Sequence, residues 1–165
     1  MIEIERTFLV KKIPTNLSSY KSCQIKQGYI SSSPSPLRIR QKGDRFELTK
    51  KIPLKTGDFS SAEEINILLT EYEFNKLWSL VERFLEKIRY YIPLGNNLVA
   101  ELDIFKGELK GLVFVEVEFI SQKQMKSFKP LKWFGTDITQ EDFSANSFLA
   151  GKKISEIKHS FNLIQ

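Results

Sequence analysis

The chain has 165 residues and a net charge of +5, with 41% apolar residues, 13 of them Phe, and 27% charged residues. That length suits one domain over 1–165 with a core of its own, and the composition excludes a disordered chain. A single cysteine, Cys23, and a single histidine, His159, exclude an internal disulfide, a thiolate zinc site and multi-histidine metal chemistry, so any metal would be held mainly by oxygen.

Period-2 alternation predicts eight strands in chain order: 2–10, 24–31, 36–42, 45–52, 62–69, 85–92, 98–105 and 112–120. Gly43-Asp44 reads as a two-residue hairpin between the third and fourth, and Gly95-Asn96-Asn97 as the turn between the sixth and seventh, so the pairing is mainly antiparallel. Turn-rich connections are expected over Ser31–Pro36 and Lys55–Ser61. Between the fifth and sixth strands Thr70-Glu71-Tyr72-Glu73 is a capping box, and Phe74, Leu77, Trp78, Val81 and Leu85 recur at helical spacing after it. Ser121 opens a shorter helix, and Ile154, Ile157, Phe161 and Ile164 mark another near the end of the sequence. The class is α+β, an eight-stranded antiparallel barrel or tunnel decorated by helices, with an open curved sheet as the alternative. The start, Met1-Ile2-Glu3-Ile4-Glu5, does not read as a signal peptide and no apolar run nears a membrane span, so the expectation is a cytoplasmic protein without membrane contact. No Gly-x-Gly-x-x-Gly occurs, and Gly151-Lys152-Lys153 is not a phosphate loop.

The charged residues of the strands carry the functional signal. Glu3 and Glu5, Glu101 and Asp103, and Glu116 and Glu118 are pairs two residues apart, each on one side of a strand with apolar residues on the reverse. Arg38 and Arg40, and Lys87 and Arg89, are basic pairs of the same kind, joined by Lys51 and by Glu64. One such pair alone is most simply the wet face of a half-buried strand. Three carboxylate pairs are different, because two carboxylates about 7 Å apart repel by about 2.4 kcal/mol at an effective dielectric near 20. Their convergence calls for proton uptake or a cation, and Mg²⁺ or Mn²⁺ suits an all-oxygen site. Arginines opposite would grip phosphate oxygens in pairs. The pattern is that of a trough or barrel for a metal-bound polyphosphate.

Glu3-Ile4-Glu5-Arg6, Gln27-Gly28-Tyr29, Leu37 to Gly43, Leu48-Thr49, Glu86 to Tyr90, Glu101 to Phe105, Gly111 to Phe119 and Trp133-Phe134-Gly135, taken in order, resemble the CYTH superfamily, the triphosphate tunnel metalloenzymes. The resemblance spans roughly residues 1–150 and is to the short bacterial single-domain members. It implies an eight-stranded tunnel acting on a small triphosphate with Mg²⁺ or Mn²⁺. By position it makes Glu3, Glu5, Glu116 and Glu118 metal-site carboxylates with Glu101 and Asp103 in close support, and Arg38, Arg40, Lys51, Lys87 and Arg89 the triphosphate clamp. Glu5, Glu64 or Glu118 would orient or deprotonate the attacking water. The sequence departs from the family's ExExK signature at Thr7, where lysine is usual, with Arg6 one place early on the opposite strand face, and Ala62 and Asn66 replace charged residues flanking Glu64.

The expected activity is metal-dependent hydrolysis of a triphosphate, foremost inorganic tripolyphosphate. The alternatives are a polyphosphate- or nucleotide-binding protein with weakened catalysis, and an adenylyl cyclase or thiamine triphosphatase. Nucleic acid is not expected as a partner, and the chain is expected to be a monomer or homodimer. His159 reads as an exposed or capping residue, Cys23 as a small filler.

Overall fold

The computed structural model describes residues 2–30 and 36–162, with the side chains of 159–162 excepted. Among these residues nine strands form: β1 (Ile2–Val10), β2 (Lys21–Ile30), β3 (Leu37–Lys42), β4 (Arg45–Pro53), β5 (Ser61–Leu69), β6 (Arg83–Gly95), β7 (Leu98–Phe105), β8 (Val113–Glu118) and β9 (Phe134–Asp137). Eight of them close into an antiparallel barrel in the order β5-β4-β3-β2-β6-β7-β8-β1, with β1 returning to pair with β5. The eight predicted strands are these eight, shifted at their ends by at most three residues.

The ninth strand was not anticipated. β9 pairs with β1 on the edge away from β8, beyond the point where β5 leaves it at Ile4, through Phe8 opposite Asp137 and Val10 opposite Phe134, across an irregularity in β1. Its four residues, Phe-Gly-Thr-Asp, show no alternation of their own, and the pairing comes from β1.

Both predicted hairpins are present. Gly43 adopts φ +58, and Asn96 and Asn97 adopt +51 and +59, conformations that Gly and Asn accept at low cost. The helix after Thr70 is shorter than its apolar spacing suggested. α1 spans Glu71–Trp78 with the capping box in place, Thr70 Oγ1 accepting from Glu73 N and Thr70 N donating to Glu73. Leu85 is instead claimed by β6, opposite Gln27. Val81 lies between the two, packed so near β2 that a Cβ on Gly28 would stand 2.5 Å from Val81 Cγ1. α2 (Gln122–Ser127) is capped by Ser121, and short α3 (Asn146–Leu149) precedes α4 (Ile154–Asn162). The connection over Ser31–Pro36 lies, but for Pro36, outside the described residues, as do the side chains of His159, Phe161 and Ile164.

Alternation along each strand sorts the residues between two apolar clusters and a polar interior. Phe8, Ile92, Ala100, Leu102, Val115 and Val117 face outward beneath β9 and the segment from α2 onward, with Phe119, Phe128 and Phe134 completing the layer. Leu85, Phe105 and Phe114 belong to the inward faces but join Phe143, Leu149 and Ile157, so one end of the interior is filled by an apolar plug. Between plug and mouth the inward positions are charged. No helix among the described residues is long and apolar enough to cross a membrane.

Candidate active site

Every second residue of the eight barrel strands points inward, and the closing of the ring brings the charged pairs around one cavity of about 240 Å³. Glu3, Glu5 and Thr7 of β1 line it, with Arg38 and Arg40 of β3, Lys51 of β4, Glu64 of β5, Lys87 and Arg89 of β6, Glu101 of β7, and Glu116 and Glu118 of β8. The sequence of strands around the ring sorts these charges by sign. β4, β3 and β6 present the cations in one arc, with β2 between them presenting Gln27 and Tyr29, whereas β7, β8, β1 and β5 present the acids in the other. A second opening of about 570 Å³ shares Glu3, Glu64, Glu101 and Glu118 with the first and is rimmed by Ile2, Tyr91, Val99 and Ile120.

Lys51 bridges the arcs. Its Nζ lies 2.6 Å from both Glu3 and Glu5, and these carboxylates push the ammonium pKa up in spite of burial. Burial lifts Glu5 to about 7 against the pull of Lys51, with Glu3 and Glu116 adding to the rise, and burial likewise raises Glu3 and Glu118. A hard cation would relieve these three carboxylates.

Arg89 holds the other acids. The Nε and Nη2 groups donate to Asp103 at 2.7 and 2.6 Å, and the guanidinium also reaches Glu101 and Glu116. Although buried, Glu116 is drawn down to about 2 by Arg89 and then Lys87. Lys87 Nζ donates to Asp103 at 2.5 Å and to Asn146 at 3.1 Å, which ties the α3 segment to the interior. Asp103 is 0% exposed, does not line the cavity, and has both oxygens engaged. Its position is that of a support beneath Lys87 and Arg89.

On the opposite wall Arg38 donates to Glu64 and Thr49, both at 3.2 Å, while Thr49 donates to Asn66 at 2.6 Å and Asn66 to Glu64 at 3.2 Å. Arg38 and then Asn66 hold Glu64 below the ordinary carboxylate range, burial notwithstanding. Arg40 donates to Glu47 at 2.8 Å. Glu47, Thr49, Gln27 and Tyr29 were not assigned to the site from the sequence, because none belongs to a pair of like charges two residues apart. Thr7 faces the cavity, 5% exposed, opposite Glu116. Arg6 points outward to Asp137 at 2.6 Å, as its register required.

The donor set fits a hard divalent cation, since it is all carboxylate oxygen with three members held above their normal pKa. Among the described residues, however, no three carboxylates converge as a finished cage. Lys51 and Arg89 stand between them. A hard divalent ion, which needs few protein carboxylates, would suit this donor set.

No protein-family profile matches the chain. It is 36% identical over 153 residues to an inorganic triphosphatase of Nitrosomonas europaea, covering 91% of this chain and 97% of that protein. An inorganic triphosphatase of Acetivibrio thermocellus is 29% identical over 157 residues, 94% of this chain and 97% of its own length. The crystal structure of an inorganic triphosphatase superposes with a TM-score of 0.67 at 34% identity, over 91% of this chain and 95% of the other.

Proposed function

We propose that this chain, which belongs to the CYTH superfamily of triphosphate tunnel metalloenzymes, hydrolyses inorganic tripolyphosphate with Mg²⁺ or Mn²⁺. It is a metal-dependent triphosphatase acting on a small triphosphate. The observation that carries the choice of ligand is the division of one cavity into a cationic and an acidic arc, because a polyphosphate needs the first and its metal the second.

Arg38 and Arg40 offer guanidinium forks to phosphate oxygens, each oriented by an acid behind it, Glu64 and Glu47. Lys51, Lys87 and Arg89 complete the clamp. Glu3, Glu5, Glu116 and Glu118 would hold the metal, with Glu101 at their edge and Asp103 fixing Arg89 and Lys87 beneath. A divalent metal held there would supply charge neutralisation to the phosphoryl group in flight. Glu5, Glu64 and Glu118 are the candidates to orient or deprotonate the attacking water. Catalysis then rests on positioning and charge.

Thr7 favours a second reading, a binder with little turnover, since the cavity lacks an ammonium at that place. Phosphate release from tripolyphosphate, ATP and thiamine triphosphate with each metal, alongside melting curves with and without chelator, separates the two. Turnover of tripolyphosphate above the others supports the enzyme. Stabilisation of about 2.7 kcal/mol at 100 times Kd without turnover supports the binder, and no metal effect on either measurement refutes both.

A further inference from the structure

The carboxylates drawn into the lumen leave the outer wall around β1 and α2 basic. No acidic residue occurs between Glu5 and Asp44, nor between Glu118 and Asp137. These two stretches meet in the fold: Val10 pairs with Phe134, Lys11 N donates to Trp133 O at 3.0 Å, and Arg6 Nη1 donates to Phe128 O at 3.4 Å. Lys123, Lys126, Lys129 and Lys132 follow at intervals of three along α2 and the segment after it, and Lys11 and Lys12 emerge beside Trp133. All six are exposed. Among the described residues none forms an ion pair, and the acid that reaches this wall, Asp137, is taken by Arg6.

Two aliphatic side chains stand among these lysines. Ile13 is 42% exposed in Lys11-Lys12-Ile13-Pro14, and Leu131 is 47% exposed in Lys129-Pro130-Leu131-Lys132. The hydrogen bond from Lys11 to Trp133 holds the two segments side by side. Beneath them Phe8, Phe128 and Phe134 pack ring against ring, so both loops rest on a firm apolar base.

We propose that this wall docks on a bilayer surface rich in anionic phospholipid, the lysines lying over headgroup phosphates and Ile13 and Leu131 entering the interfacial layer. Charge alone would suit any polyanion, but a nucleic acid or soluble polyphosphate gains nothing from exposed aliphatic tips. The paired recognition of phosphate that guanidinium groups provide is also missing here, since the free cations are all lysine and Arg6 is committed to Asp137. The lack of a spanning helix, which underlay the expectation of no membrane contact, does not bear on peripheral docking. The inference is independent of what the lumen binds.

Co-sedimentation of the full chain with vesicles of phosphatidylcholine alone, or mixed equally with phosphatidylglycerol, tests it. The expected result is binding to the mixed vesicles at about 50 mM salt that fades at about 200 mM, where screening is stronger. Replacing Lys11, Lys12 and Lys132 together by Ala should lower the affinity about a hundredfold. The charge-neutral pair Ile13→Ser and Leu131→Ser should lower it about tenfold. Circular dichroism and tripolyphosphate binding, both governed elsewhere in the molecule, verify that the variants fold. Equal pelleting with neutral and mixed vesicles, or none with either, overturns the proposal. So does unchanged binding of the Ile13→Ser, Leu131→Ser variant together with full competition by soluble polyphosphate or duplex DNA, which would make the patch a site for soluble polyanions.

Discussion

Replacing Arg89 by alanine should cost the fold more than it costs ligand binding. Arg89 is 5% exposed, its guanidinium is shared by Asp103, Glu101 and Glu116, and Glu101 and Glu116 are direct cross-strand partners on β7 and β8. Cross-strand partners stand about 5 Å apart, where two carboxylates without an intervening cation repel by about 3.3 kcal/mol at an effective dielectric near 20. Asp103 would keep Lys87 as its remaining cation. Removing one partner of a buried pair typically costs about 3–5 kcal/mol, in line with that figure. For a chain of this size the melting temperature should fall by about 6–20 °C. Urea denaturation of wild type, Arg89→Ala and the double variant Arg89→Ala, Glu116→Gln measures it. The double variant should recover part of the loss, since it removes one of the repelling charges. A stability of Arg89→Ala within about 1 kcal/mol of wild type, or a double variant less stable than the single, would show that the acidic arc does not depend on Arg89.

Arg38→Ala should weaken tripolyphosphate binding by about 1.5–3 kcal/mol; equal calorimetric affinities would remove Arg38 from the clamp. Thr7→Lys places an ammonium beside Glu116 and should raise the hydrolysis rate at least about tenfold, equivalent to about 1.4 kcal/mol, so that no gain in single-turnover rate counts against a missing cation. Glu47 is held below its ordinary value of 4.5, burial being outweighed by Arg40 and then Arg45. Its contribution to stability is therefore complete above pH 4.5 and fades as the pH falls through the depressed value. The stability gap between wild type and Glu47→Gln should accordingly be widest at neutral pH and close in acid, and a gap that widens on acidification contradicts the assignment.

The barrel was legible because its two surfaces differ sharply. Where Ile2, Ile4 and Phe8 alternate with Glu3, Glu5 and Thr7, a period of two is hard to miss, and charges of one sign on one strand mark the inward face. What escaped detection depends on neighbours rather than on local pattern. β9 exists because β1 has an edge to offer beyond β5, and α1 stops at Trp78 because the ladder with β2 claims Leu85. The role of Asp103 also depends on the third dimension: in the sequence it is the twin of Glu101, but in the fold it lies one layer deeper with Lys87 and Arg89 closed over it. Gln27 of the lumen and Thr49, which accepts from Arg38, look in sequence like ordinary strand polar residues.

The position of β1 in the ring sets a timetable for synthesis. This strand pairs with β5, β8 and β9, so during synthesis it cannot complete its hydrogen bonds until residues near 137 have followed it. At roughly 5–20 residues per second that wait is on the order of ten seconds. Throughout it the strand carries an unpaired backbone and the apolar row Ile2, Ile4 and Phe8, a combination prone to association with other nascent chains. Glu3, Glu5, Arg6, Lys11 and Lys12, whatever they do in the finished molecule, give that waiting segment the charge that discourages edge-to-edge pairing. The same residues can thus protect the chain before the cavity exists, and sequence changes along β1 should affect the yield of folded protein on translation more than they affect its equilibrium stability.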